Sequence, residues 1–262
     1  MIGRIWAIAL NTFREAARIR VLYGILVLVV AANLLAIVLG ELSIHEETRV
    51  ARDIGLAGIS LFGSLTAIFL GVFLLYTEVQ RRTIHAIVSK PIERWEFVVG
   101  KYLGMVLVLS VLVVVFGVAM GLVLAWQGGG VTVAISKALV LAWLEVLVVA
   151  AIAIFFSSFS TPFLSGIFAL GLWAIGRLTP DIEAATKFAS TAIRAITKAA
   201  LQIVPDLHLY AISGRAFDGA TVSAHGDFVS WGYVGLASLH GFGWIIGLVA
   251  LSAILFSRRD FV

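Results

Sequence analysis

The 262-residue chain contains no cysteine. That excludes a disulfide framework, a zinc–thiolate site and a thiol nucleophile. Charge is scarce as well: 13% of residues are charged, about half the share of an ordinary soluble domain. No G-x-x-x-x-G-K-S/T run occurs, so the chain has no P-loop to hold a nucleotide. His45-Glu46-Glu47 is not the H-E-x-x-H of a zinc protease, and no pair of carboxylates falls inside an apolar run. His240 is the one base placed to serve a serine nucleophile inside an apolar run, and no serine motif lies beside it. The residues therefore argue against an enzyme. No catalytic residue, cofactor, metal or nucleic-acid partner is expected.

What the chain has in excess is apolar surface. Hydrophobic residues make up 61%, and the mean hydropathy is +1.07. A buried core alone does not need that much. A surface facing lipid does, because its outside must be apolar too. A spanning helix takes ~20 apolar residues. Six such runs can be placed: 21–40, 54–77, 102–126, 136–156, 162–178 and 230–256. The expected fold is all-α, one polytopic membrane domain over 1–262 with no room for a separate soluble domain.

Between the runs the sequence is punctuated. Residues 1–20 place Arg4, Asn11, Glu15 and Arg18 on one helical face and Ile2, Ile5, Trp6, Ala9, Phe13 and Ala16 on the other. That pattern predicts an interfacial amphipathic helix in contact with membrane lipid rather than a signal-peptide n-region. Glu41–Asp53 carries both signs of charge and reads as a loop. Gly128-Gly129-Gly130 reads as a tight turn. Ser157–Pro162 is a polar break, with Pro162 suited to the first turn of a new helix.

Residues 180–229 form the longest segment between runs. Ile182, Ala185, Ala189, Ile193, Ile196, Ala200 and Ile203 recur at three- and four-residue steps, opposite Lys187, Thr191, Arg194, Lys198 and Gln202. This predicts an amphipathic helix or a pair of them, ended by Pro205. The small alanines of the stripe favour packing on the tops of the spans over lying on lipid.

Lys and Arg set the orientation. The side holding both termini and residues 78–101 has eleven, the other side eight, four of them in the long 180–230 segment. Both termini are expected in the cytoplasm.

Asn33, Glu145 and His240 stand well inside the runs. An ionisable group at mid-span costs at least ~2.5 kcal/mol, so each invites a functional reading as a pathway contact. The plainer reading is a hydrogen bond to a neighbouring helix, and for all three it has the better claim. Gly100–Gly104, Gly117–Gly121 and Gly243–Gly247 are small-x-x-x-small pairs and read as helix-packing surfaces.

The densest charge lies in 78–101, where Glu78, Arg81, Arg82, Lys90, Glu93, Arg94, Glu96 and Lys101 surround Ile84, Ile87, Val88, Ile92, Trp95 and Phe97. Physics alone leaves two readings open, an interfacial segment on lipid or a docking helix for a soluble partner broken at Lys90-Pro91. Glu78, Thr83, Val88-Ser89-Lys90-Pro91-Ile92-Glu93-Arg94 and Gly100-Lys101-Tyr102-Leu103-Gly104 carry more. They resemble the cytoplasmic region of ABC type-2 permeases, the membrane subunits of ATP-binding-cassette exporters. That family typically shows a Glu at the end of the second span, a Gly-Thr pair, L-S-K-P-I/V-x-R, and G-K-x-x-G opening the third span. Arg82 stands where the family usually has Gly.

The resemblance implies a type V-like exporter fold in a bacterial inner membrane. It also implies a separate ABC ATPase subunit as partner and a second permease copy or close paralogue. Glu78, Arg81, Arg82, Thr83, Ile87, Lys90, Pro91 and Arg94 would form the contact with the ATPase. A channel or secondary carrier, or a membrane anchor working with additional envelope proteins, is the alternative class.

Overall fold

The structure, a computed structural model, describes residues 2–41, 47–80, 93–130, 132–211, 213–215, 221–223 and 229–257. Among these it is helical, apart from a short antiparallel hairpin that pairs Ser213–Arg215 with Thr221–Ser223. The helices are α1 (Ile2–Ala17), α2 (Arg20–Glu41), α3 (Glu47–Gln80), α4 (Arg94–Trp126), α5 (Val133–Phe159), α6 (Pro162–Arg177), α7 (Thr179–Ala185), α8 (Thr191–Leu201) and α9 (Trp231–Ser257). Single 3₁₀ turns at Thr186–Phe188 and Leu207–Tyr210 complete the segment between α7 and the hairpin.

Five helices are long and apolar enough to cross a bilayer, and a sixth crossing exists if α6 and α7 are counted as one bent span. The fifth predicted run is the one that changes. α6 has 16 residues and rises only ~24 Å at ~1.5 Å per residue, short of a ~30 Å hydrocarbon layer. It then turns by 65° into α7, which has Pro180 in its first turn.

Two other boundaries move outward. α3 begins at Glu47, so much of the expected 41–53 loop is helix, and Ala51 and Leu56 are already buried. α4 begins at Arg94, eight residues before Tyr102, and takes Glu96 and Lys101 into the helix. The polar break falls as expected: Thr161 is the N-cap of α6 and Pro162 opens it. Gly128, at φ 76°, closes α4, and the Gly129 amide donates to the Leu124 carbonyl at 2.8 Å.

α5 runs through the centre. Every residue from Leu144 to Ile154 is buried, so this stretch of the helix has no outer face. A helix apolar all round belongs in an interior. α3 lies alongside it in parallel and touches it closely: a Cβ on Gly63 would stand 2.7 Å from Val146, and one on Gly71 would stand 2.5 Å from the Ala153 Cβ. α4 is tied to α5 by Tyr102 Oη donating to the Leu147 carbonyl (3.2 Å) and Trp143 Nε1 donating to Ser110 Oγ (2.9 Å). The outside of the bundle is apolar, with Val27, Leu34, Val114, Leu122, Phe163, Leu239 and Ile246 all exposed. An outer surface of this kind is stable against lipid and not against water.

Candidate functional site

Two charged clusters hold the bundle, one at an end and one in its middle. The end cluster grows from the opening of α4. Glu93 precedes the helix, and the Glu96 carboxylate accepts from the Glu93 amide at 3.3 Å, satisfying one of the orphan donors of the first turn. Trp95 Nε1 donates to the Glu93 carboxylate. Buried Glu96 also meets Arg4 of α1 at 3.7 Å. Lys101, almost fully buried, donates to Glu15 near the end of α1 at 3.1 Å, with its Nζ 5.7 Å from the Phe97 ring centroid.

Between these two ion pairs the helices nearly touch. A Cβ on Gly100 would lie 2.7 Å from the Ile8 Cβ; one on Gly104 would lie 2.5 Å from the Thr12 Cβ and 2.7 Å from the Ala9 carbonyl. α1 and α4 are thus parallel, and the Gly100–Gly104 pair is the seat of α1. The chain's last described turn joins them: Arg94 Nη1 donates to the Ser257 carbonyl at 2.9 Å, and Phe97 stacks on Phe256 at 5.8 Å. The start of α1 and the end of α9 therefore both meet the opening of α4.

The middle cluster is built from three helices. Glu145 of α5 is wholly buried. Arg177, the last residue of α6, places Nη1 2.7 Å from both carboxylate oxygens. Ser60 of α3 donates to Oε2 at 2.7 Å and accepts from Arg177 at 3.0 Å. Trp173, one turn back on α6, donates to Oε1 at 3.4 Å. A buried carboxylate is tolerable only when paired and hydrogen-bonded, and here every neighbour is a donor.

Of the residues singled out from the sequence, Glu145 thus proves to be the centre of a four-residue cluster. Asn33 is buried, and its Nδ2 donates to the Val29 carbonyl one turn back at 2.9 Å. His240 Nε2 accepts from Trp244 Nε1 at 3.1 Å, and its Nδ1 lies 3.5 Å from Tyr210 Oη. Since an indole N–H only donates, the ring proton belongs on Nδ1. Arg94 is engaged with α9. Glu78 falls within α3, but its side chain lies outside the described residues, as do Arg81, Arg82, Thr83, Ile87, Lys90 and Pro91.

Arg4, Glu15, Glu96, Lys101, Ser60, Trp173 and Arg177 did not stand out as site residues. A signal for Arg177 exists: it and Glu145 lie almost equally far from the Ser160-Thr161 turn, so an antiparallel hairpin brings them level. Gly243 and Gly247 meet nothing within 4 Å and instead line an open groove on α9 with His240 and Trp244. Among the described residues no group of three His, Asp or Glu side chains gathers to hold a metal ion.

A central helix buried all round through its middle, an apolar exterior and helices of spanning length define a polytopic membrane protein. The match to a known family makes that specific. The family described as ABC-2 family transporter protein matches residues 6–261, nearly the entire chain, and the chain belongs to it. No curated protein matches the chain.

Proposed function

We propose that the chain is the membrane subunit of an ATP-driven transporter, paired with a second copy and worked by a separate ATPase bound at residues 78–101. Family membership implies the ATPase partner, and the sequence has no P-loop of its own. The observation that carries the coupling is the junction of α1, α4 and α9 at the opening of α4, the helix that 81–92 precede in sequence, with Glu96 and Lys101 ion-paired into α1. A push on the docking segment enters α4 through its first turn. Because α1 and α9 are tied to that turn, the three ends move together. ATP binding then favours one of two arrangements of the bundle, a mechanical linkage between two states.

In this reading α2, α3, α4, α5, bent α6–α7 and α9 are six spans, and both termini are cytoplasmic, as the Lys/Arg bias favours. α1 lies in the interface with Ile2 and Trp6 exposed toward lipid. Glu145 positions helices rather than touching cargo, because its carboxylate is fully enclosed by Arg177, Ser60 and Trp173.

The test is assembly. Ile87→Asp with Lys90→Glu should abolish co-purification with a co-expressed partner ABC ATPase and return its ATP hydrolysis to the rate of the free ATPase. Arg94 is kept intact because it secures α9. Unchanged assembly and unchanged hydrolysis in the double variant would sink the docking role.

A further inference from the structure

α8 and its flanks offer an amphipathic surface that no described residue of the chain covers. No residue of α8 is buried. Ile193, Ile196 and Ile203 stand 52%, 69% and 77% exposed along one edge. Arg194 and Lys198 lie on the opposite edge, also exposed, and the helix carries no acidic residue. Within the helix only Thr197 and Leu201, which lie between the two edges, are half-buried. The expected packing of the stripe on the spans is therefore not what the structure shows. Arg194 donates to the Lys187 carbonyl, so α8 and the turn before it form one unit bearing Lys187, Arg194 and Lys198.

Depth agrees with the edges. α6 climbs ~24 Å, so its end falls ~6 Å short of the far boundary of a ~30 Å hydrocarbon layer. Pro205, just past α8, lies against that end: a Cβ on Gly176 would stand 2.6 Å from the Pro205 carbonyl. A helix in the interface buries its apolar face by ~5–10 Å. The same end of the bundle carries Trp231, 61% exposed at the start of α9, with Lys137 Nζ 5.1 Å from its ring centroid. An exposed aromatic beside a cation is the usual marker of a headgroup layer.

We propose that α8 is a membrane-surface helix, seated with Ile193, Ile196 and Ile203 in lipid and Lys187, Arg194 and Lys198 among anionic headgroups, at the end of the bundle remote from the α1–α4–α9 junction. This rests on the reading of the bundle as membrane-spanning.

Because the chain lacks cysteine, single labels are unambiguous. Ile196→Cys, Lys198→Cys and, as a control for spanning, Leu35→Cys on α2 are each labelled with a polarity-sensitive fluorophore. The full chain is placed in phosphatidylcholine–phosphatidylglycerol vesicles. The label at 196 should be quenched by nitroxides on lipid near the headgroups and spared by aqueous iodide; the label at 198 should behave the opposite way. Pure phosphatidylcholine should reduce the lipid quenching at 196. Iodide quenching at 196 overturns the proposal in favour of a helix free in water. Protection at 196 from both quenchers overturns it in favour of a second copy or another protein. Equal quenching in the two lipid mixtures removes the anionic preference. Failure of acyl-chain nitroxides to quench position 35 sinks the spanning reading itself, which a failure at 196 alone does not.

Discussion

Glu15–Lys101 and Glu145–Arg177 are both ion pairs between helices, yet they hold the molecule in different ways. The first sits where α1 lies along α4, and its carboxylate side chain is 30% exposed. Around it the helices are already in contact through Gly100 and Gly104, so the pair reinforces an interface that packing has made. The second is at the heart of the bundle, where Glu145 has no exposure at all. There, packing alone cannot accommodate the charge; Arg177 and Ser60 must be present for the carboxylate to be buried. The lesson is that water decides whether a charged partner is optional. At the wet end, Glu15 without Lys101 is hydrated where it stands; in the middle, Glu145 without Arg177 is not, and Lys101, 3% exposed, likewise depends on Glu15.

The sharpest way to break this contrast is Arg177→Ala, which strands a buried carboxylate. It should lower stability by ~3–5 kcal/mol, read as a drop in the thermal midpoint of the purified protein in detergent. Replacing both partners with leucine should recover most of that loss, because an apolar pair needs no compensation. A silent Arg177→Ala would show that the middle of the bundle is wet.

Next in size is Gly104→Ala. Its new methyl meets the Ala9 carbonyl and the Thr12 Cβ, so α1 must shift, at a cost of ~1–3 kcal/mol. Protease cleavage within α1 should accelerate in step. Gly243→Ala is the matched control: nothing stands within 4 Å of its Cβ, and it should be neutral or slightly stabilising. Equal effects at 104 and 243 would remove glycine contact as the basis of the α1 seat.

Arg4→Ala should cost ~0–1 kcal/mol: Glu96 is buried, but Arg4 is 47% exposed and 3.7 Å away, and the carboxylate keeps its hydrogen bond from the Glu93 amide. A loss as large as that of Arg177→Ala would contradict the account of the wet end.

The smallest expected effect concerns Asp206, whose carboxylate accepts from the His208 amide at 3.1 Å. Burial raises its pKa above the ordinary 3.8, only partly offset by that hydrogen bond. The folded state thus holds the proton more tightly than the unfolded one. Its contribution is fully present below the ordinary value and is lost as pH rises through the raised one. Asp206→Asn keeps the cap and should flatten the pH dependence of stability across that acidic window. A variant with the wild-type slope would mean that Asp206 is solvated.

Much of the bundle was legible from run lengths, because lipid imposes a minimum length of apolar helix. The ends of α3 and α4 were not. Their charged residues look like loop in a local window, and Glu96 and Lys101 become helical residues because α1, some ninety positions earlier, supplies Arg4 and Glu15. Glu145 was legible as an anomaly, and its partner was hidden because Arg177 reads as the boundary of an apolar run. The Gly100–Gly104 pair announced a close helix contact and gave no hint that the visitor is α1. For α8 the periodicity revealed the helix, and small residues in the stripe favoured the wrong neighbour. The three isoleucines decide which side needs covering, and their exposure is a property of the fold, not of the local sequence.

The shortness of α6 has a mechanical consequence. Together with α5 it forms a loop of chain fastened twice, once by the covalent turn at Ser160-Thr161 and once by Glu145–Arg177. A slip of one helix past the other by a single turn moves it ~5.4 Å, far more than a 2.7 Å contact survives. The two helices are therefore clipped in register and travel as a single plank. Sliding, where the proposed cycle calls for it, is left to the seams beside that plank, among them the one along α4, where Tyr102 and Ser110 are fastened by single hydrogen bonds across the seam that re-form at modest expense.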